Sequence, residues 1–396
     1  MKLDTPRLPV EYVEDQAGLD SLIQALKPLK SVAIDAERAS GFRYSQRAYL
    51  IQLATESAIY LVDPLALDET APGWNHTLAE TLRPKTWLLH AATQDLPCLA
   101  ELEIYPTSLI DTELASRLAG LERVGLGSLA LELLDIELAK EHSAADWSQR
   151  PLSAEMIDYA ALDVDVMDEL WVAIEKILTE QGKLEWAEQE FRHLVNFKPK
   201  PQSAEPWRNL PGMIKIKDLA KVKAAAALWL VRDEIARERD AAPGRLIPDR
   251  SIMAAVNQLP KSKSELASNK EFQGRASRSL LNTWWQAIHD SAQLEVDLQG
   301  PKNGNGIPNH RSWEKRFPEA HLRLESVRPL LVEKAAELKL PTENLLTPEY
   351  LRRVCFEPQP DIKSQLLEIG ARPWQVELTE PLIRAGLEKA ETPPAA

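Results

Sequence analysis

Two stretches of this chain read as breaks between modules, and they divide it before anything else is considered. Residues 196–213 (NFKPKPQSAEPWRNLPGM) carry four prolines, and residues 299–308 (QGPKNGNGIP) combine proline with three glycines. Proline removes a backbone donor and fixes φ, so neither stretch continues a helix or a central strand. The chain therefore reads as three modules: 1–195, 214–296 and 313–390, joined by linkers at 196–213 and 297–312 and ending in a Pro/Ala tail at 391–396. A length of 396 residues suits two or three cores better than one.

The modules differ in periodicity. In the first, Ser31–Ala36, Ala48–Ala54, Ala58–Val62 and Thr86–His90 are short β-rich runs, the first two joined by a hairpin-like connection containing Gly41. Helical spacing follows at Leu96, Leu99 and Leu102, then over Thr112–Leu118, Leu126–Leu134 and Ala154–Leu178. Strands first and strand–helix alternation later predict an α/β domain with a mixed sheet. Beyond residue 215 the pattern is wholly helical, punctuated by Pro243-Gly244 and Pro260, and it resumes near Pro318.

The longest apolar run, Ala224–Val231, has eight residues, where a membrane span needs about 20. Met1–Val10 has no apolar h-region, and Cys98 and Cys355 have neither a disulfide framework nor metal-ligand spacing. A cytoplasmic protein that does not engage membranes is expected. The formal net charge of −13 is uneven: residues 1–200 hold 18 basic and 34 acidic side chains, residues 201–296 hold 15 and 11. An acidic module joined to a mildly basic one is compatible with nucleic-acid work.

Four acids stand out. In VAIDAERAS, Asp35 and Glu37 are two apart and share one face of a strand, with Val32 and Ile34 on the other. Adjacent carboxylates repel unless a cation lies between them. Asp95 follows the strand Thr86–His90 at the start of a helix, where an acid also suits the helix dipole. In AEMIDYAALDVDVMDEL, Met156, Ala160, Met167 and Leu170 form an apolar stripe that Asp163 interrupts, with Tyr159 four residues earlier on the same face. A carboxylate in such a stripe needs a partner.

A strand D-x-E pair, a later Asp after a strand and Tyr-x-x-x-Asp on a late helix, in that order, resemble the DEDD exonuclease superfamily and its DEDDy branch. The similarity extends through AYLIQLAT, LIDTELASRLAG and DWSQRPLSAEMIDYAALD, and within the superfamily it is to the ribonuclease D family. The resemblance implies a ribonuclease H-like α/β exonuclease domain with a mixed sheet. It implies that Asp35, Glu37, Asp95 and Asp163 hold two divalent cations, Mg²⁺ or Mn²⁺, about 3.5–4 Å apart. Tyr159 would orient the attacking water, Glu37 would contact the terminal 3′-hydroxyl, and nucleoside 5′-monophosphates would be released. Ala36 and Arg38 depart from the commoner residues of that motif. His90, Gln94 and Gln52 are further candidates for substrate contact.

The run containing Trp229, Arg232, Asp233, Ala236 and Asp240, then Pro243-Gly244 and Ile247-Pro248-Asp249, resembles the HRDC domain, a small helical nucleic-acid-binding accessory. Lys221 and Arg275 are its candidate contacts. LLTPEYLRRVC and GARPWQVELTEPLIRAGL resemble the second HRDC-type bundle of the same family. The expectation is a monomeric 3′→5′ exoribonuclease that trims RNA with a free single-stranded 3′ end, of the tRNA-precursor type. The alternatives are a DNA-directed exonuclease and a catalytically silent nucleic-acid-binding scaffold.

Overall fold

A computed structural model of the chain describes residues 1–139, 145–198, 203–298 and 306–391. Residues 199–202 and 299–305 of the two proline-rich breaks, and 392–396 of the tail, lie outside the described residues.

The first module is built on a six-stranded mixed sheet. Its strands are β1 (Val10–Val13), β2 (Ser31–Arg38), β3 (Ala48–Ala54), β4 (Ile59–Val62), β5 (Thr86–Leu89) and β6 (Ser108–Asp111). They lie in the order β1-β4-β3-β2-β5-β6. The central β2–β3–β4 meander is antiparallel, whereas β1 on β4, β5 on β2 and β6 on β5 are parallel. All seven residues of β3 are buried, as a strand covered on both faces requires. Helices α1 (Gln16–Leu26) and α2 (Trp74–Leu82) cover one face, packing Leu22, Leu26 and Leu78 on Ile34, Ile51 and Leu53.

Further helices of this module are α3 (Leu96–Ala100), α4 (Thr112–Ala119), α5 (Leu126–Leu134), α6 (Ala154–Asp165), α7 (Met167–Glu180) and α8 (Leu184–Leu194). Helix α6 lays Ala160, Ala161 and Val164 on the opposite face of the sheet, against Ala33, Leu50 and Ala54. The stretch expected as one helix over Ala154–Leu178 is two, because Val166 leaves helical geometry at φ −103° and ψ −1°. Two strands not expected from sequence, β1 and β6, close the sheet edges.

The helical regions bury their own cores. One centres on Val222, Leu228, Ile252, Phe272 and Trp284, the other on Trp313, Leu324, Leu331, Val354 and Ile383. In the first, α9 (Leu219–Glu238) holds the buried Arg232, whose guanidinium donates to the Ile247 carbonyl and to Asp249 at 2.6 Å. This explains why the HRDC-like motif links those positions. In the second, Ala335, Leu340, Leu345 and Trp374 join the core of the first module rather than their own. The Trp374 ring stacks on Trp186 at 5.0 Å, and its indole N–H donates to Glu190, which also receives Arg372 at 2.7 Å.

The helical region that follows α9 also grips the β2–β3 connection. Asp240 accepts the backbone N–H groups of Tyr44 and Ser45 at 3.1 and 2.9 Å and the Tyr49 hydroxyl at 3.3 Å. Arg245 donates to the Gly41 carbonyl and lies 4.1 Å over the Phe42 ring. Asp240→Ala leaves two amides without their acceptor, at about 1–3 kcal/mol. The expected result is faster proteolytic cleavage between residues 39 and 47 at an unchanged far-UV signature, read by limited proteolysis with mass spectrometry. Unchanged cleavage would show that the clasp is not needed to hold this loop.

Candidate active site

Asp35 and Glu37 occupy alternate positions near the end of β2, on the face covered by α6. A bulge lies just past them: Glu37 pairs with Leu50 but Arg38 with Ala48, leaving Tyr49 as the extra residue of β3. Bulges re-aim side chains at sheet ends and are common beside active sites. Ala36, between the two acids, faces the opposite core with Ile34.

Helix α6 brings the second pair. Ser153 caps it by accepting the Met156 N–H, and Tyr159 and Asp163 lie one turn apart, on one face. Tyr159 donates its hydroxyl to Asp163. Its ring packs beside the fully buried Trp147, with centroids 6.2 Å apart.

Asp95 stands immediately before α3 and makes no capping bond with its side chain. It is therefore not there to serve the helix end; its carboxyl hydrogen-bonds to Asp35. Asp111, which sequence reasoning missed, supports it from below. Its carboxylate accepts four backbone N–H groups, from Ala91, Ala92, Glu113 and Leu114, and so ties the loop carrying Asp95 to the start of α4. The D-T-E run at 111–113 is an N-cap signal that marks this residue in the sequence.

One carboxylate oxygen from each of Asp35, Glu37 and Asp163 lies within 4.8 Å of the other two, and Asp95 adjoins them through Asp35. Burial pushes all four carboxyls up, and repulsion from Asp35 adds to it at Glu37, Asp95 and Asp163. Glu37 is raised to about 9. Arg38 supplies an opposing positive charge to Asp35, Glu37 and Asp95. Such an all-oxygen, crowded carboxylate set fits hard divalent cations, and it is unfavourable without them.

A cavity of about 220 Å³ opens on Asp35, Asp95 and Asp163, with His90, Gln94 and Tyr159 also on its walls. A second groove of about 540 Å³, with Arg123, Gly127 and Leu131 on its walls, shares Tyr159 and Asp163 with the first. His90 places Nδ1 2.8 Å from the Thr112 hydroxyl, and burial lowers it to about 4, so it is neutral at working pH. Three other candidates lie elsewhere. Gln52 is fully buried and so cannot touch a substrate, a correction forced by the complete burial of β3. Lys221, in the helical region, donates to the Asn257 carbonyl at 3.0 Å and lies outside the cavity lining. Arg275 is exposed at the start of the short helix Arg275–Ser279, outside the cavity lining.

The mixed sheet with acids clustered at its end is that of the divalent-metal-dependent 3′→5′ exonucleases. Residues 10–179 match the 3′-5′ exonuclease family, residues 222–288 the HRDC domain, and residues 306–387 the family described as the 3′ to 5′ exonuclease C-terminal domain. The chain is 30% identical to the ribonuclease D of Zymomonas mobilis over 72% of its length and 73% of that protein's. It is 26% identical to that of Pseudomonas paraeruginosa over 96% and 98%. A crystal structure of a protein from Bifidobacterium adolescentis is 33% identical and superposes with a TM-score of 0.89, covering 98% of this chain and 99% of that one. The chain belongs to the ribonuclease D family. It is a 3′→5′ exoribonuclease.

Proposed function

We propose that the enzyme trims short single-stranded 3′ extensions from structured RNAs of the tRNA-precursor type, releasing nucleoside 5′-monophosphates. The carrying observation is the convergence of Asp35, Glu37 and Asp163 within 4.8 Å, with Asp95 bonded to Asp35. In this reading the four carboxylates hold two divalent cations, Mg²⁺ or Mn²⁺. When bound, these supply an activated water and neutralise charge at the phosphorus and the leaving 3′ oxygen.

The chain's own groups do the rest. Tyr159, whose phenol is pushed up by burial and then by the neighbouring acids, stays protonated and orients the water by hydrogen bonding. Glu37 accepts from the terminal 3′-hydroxyl, which restricts attack to chain ends. His90, neutral, and Gln94 line the cavity and offer hydrogen bonds to the last nucleotide. We take the catalytic module as 1–195, with helical modules at 214–296 and 313–390. The exposed Arg275 and the basic balance of residues 201–296 support RNA binding by the first helical module. The enzyme is read as a cytoplasmic monomer; no helix among the described residues is long and apolar enough to cross a membrane.

The test is degradation of a 5′-labelled RNA with a 3′ overhang, beside the matching DNA, with Mg²⁺, Mn²⁺ or EDTA. A ladder shortening from the 3′ end only with metal, and faster on RNA, is expected. Faster loss of DNA would overturn the substrate. Tyr159→Phe is expected to lower kcat about 10- to 100-fold through lost orientation, with KM little changed. A variant with unaltered kcat would remove Tyr159 from the mechanism.

A further inference from the structure

β3 is buried along its whole length, and Gln52 stands there among Ala48, Leu50, Ile51, Leu53, Ala54 and Tyr49, whose hydroxyl reaches Asp240. The Gln52 side chain is wholly buried, and neither its Oε1 nor its Nε2 has a hydrogen-bond partner among the described residues. Folded proteins avoid this arrangement, since a buried amide that bonds to nothing loses its hydration without compensation. A leucine or methionine would fill the position at lower cost.

The position is not arbitrary. Gln52 lies directly opposite Asp35 in the β2–β3 register, and facing residues of antiparallel strands project to the same side, with Cβ atoms about 4.5–5.5 Å apart. Its neighbours two residues away, Leu50 and Ala54, pack with Ala33 against Ala160, Ala161 and Val164 of α6. Gln52 therefore sits under α6 beside Asp35, between the sheet and the helix that carries Tyr159 and Asp163. The amide is long enough to reach the Asp35 carboxylate by a rotamer change alone. A local violation of folding economy beside a reactive group marks function.

We propose that Gln52 is a positioning residue for Asp35: its amide N–H donates to the Asp35 carboxylate, directly or through one buried water, and holds it in the orientation that binds cation. Groups that hydrogen-bond to metal ligands from behind fix the ligand rotamer, and their loss typically weakens binding about 10- to 100-fold. The inference rests on the reading that Asp35 is a cation ligand.

The experiment compares wild type with Gln52→Leu and the volume-conserving Gln52→Met. Free Mn²⁺ is followed by electron paramagnetic resonance during titration, and the metal-free melting temperature by calorimetry. Expected is a metal-free melting temperature equal to or above wild type in at least one variant, with its Mn²⁺ Kd raised about tenfold or more. A fall in kcat at saturating Mn²⁺ with unchanged KM for RNA completes the pattern. Wild-type Mn²⁺ affinity in a folded variant overturns the positioning role and leaves the cation reading intact. A wild-type protein that takes up no Mn²⁺ overturns both.

Discussion

Asp35→Asn will lower 3′ trimming of a 5′-labelled RNA by about a thousandfold or more while leaving the metal-free protein as stable as wild type, or more so. The two effects share one cause. Asp35 bonds to Asp95 and lies among the oxygens of Glu37 and Asp163, so its charge is needed to hold cations and, without them, repels the charges of Glu37, Asp95 and Asp163. Removing it relieves like-charge crowding and removes about 4 kcal/mol of transition-state stabilisation, the equivalent of that rate loss. Denaturant melts and single-turnover assays on the same preparation read both quantities. A variant keeping more than about a tenth of wild-type activity would exclude Asp35 as a ligand, and a large loss of stability would mean that the cluster is structural.

The second large effect is on pH. Asp35, Glu37, Asp95 and Asp163 all have carboxyls raised in the folded protein, Glu37 to about 9, first by burial. A carboxyl raised on folding contributes stability below its unfolded value near 4, and that contribution is lost as pH rises through the folded value. The metal-free protein is therefore expected to lose melting temperature steadily between pH 5 and pH 9. Cation binding needs the ionised acids and displaces their protons, so the gain from saturating Mg²⁺ must grow over the same window. Calorimetry should show a metal increment larger by about 5 °C or more at pH 8.5 than at pH 6. An increment that is flat or shrinks with pH would show that the acids are already ionised without metal.

Much of this was legible in the sequence where side-chain pattern and chemistry coincide. The D-x-E pair is visible because a strand cannot bury two adjacent acids idly, and Asp163 is visible because it breaks an apolar stripe. β3 and α5 were readable because their apolar runs are long and cleanly bounded. β1 and β6 were not: VEYV and SLID are four residues each, half polar, and become strands only by pairing at the sheet edges. The break at Val166 was hidden because the apolar stripe of α6 runs on through Met167 and Leu170 into α7. Asp111 is legible as a helix cap, but its hold on the backbone amides of a loop some twenty residues earlier was not. Gln52 was noticed as a polar residue in an apolar strand, but its register against Asp35 depends on the bulge and loop between the strands.

The loop that follows Glu37 belongs to two modules at once. Its backbone leaves the strand that bears two of the acids, and Asp240, Ala242 and Arg245 then hold it through Ser45, Tyr44, Phe42 and Gly41. The HRDC region is therefore not a detachable cassette in this structure: exchanging it would also exchange the Asp240-to-Arg245 anchor of the reaction centre's own hairpin.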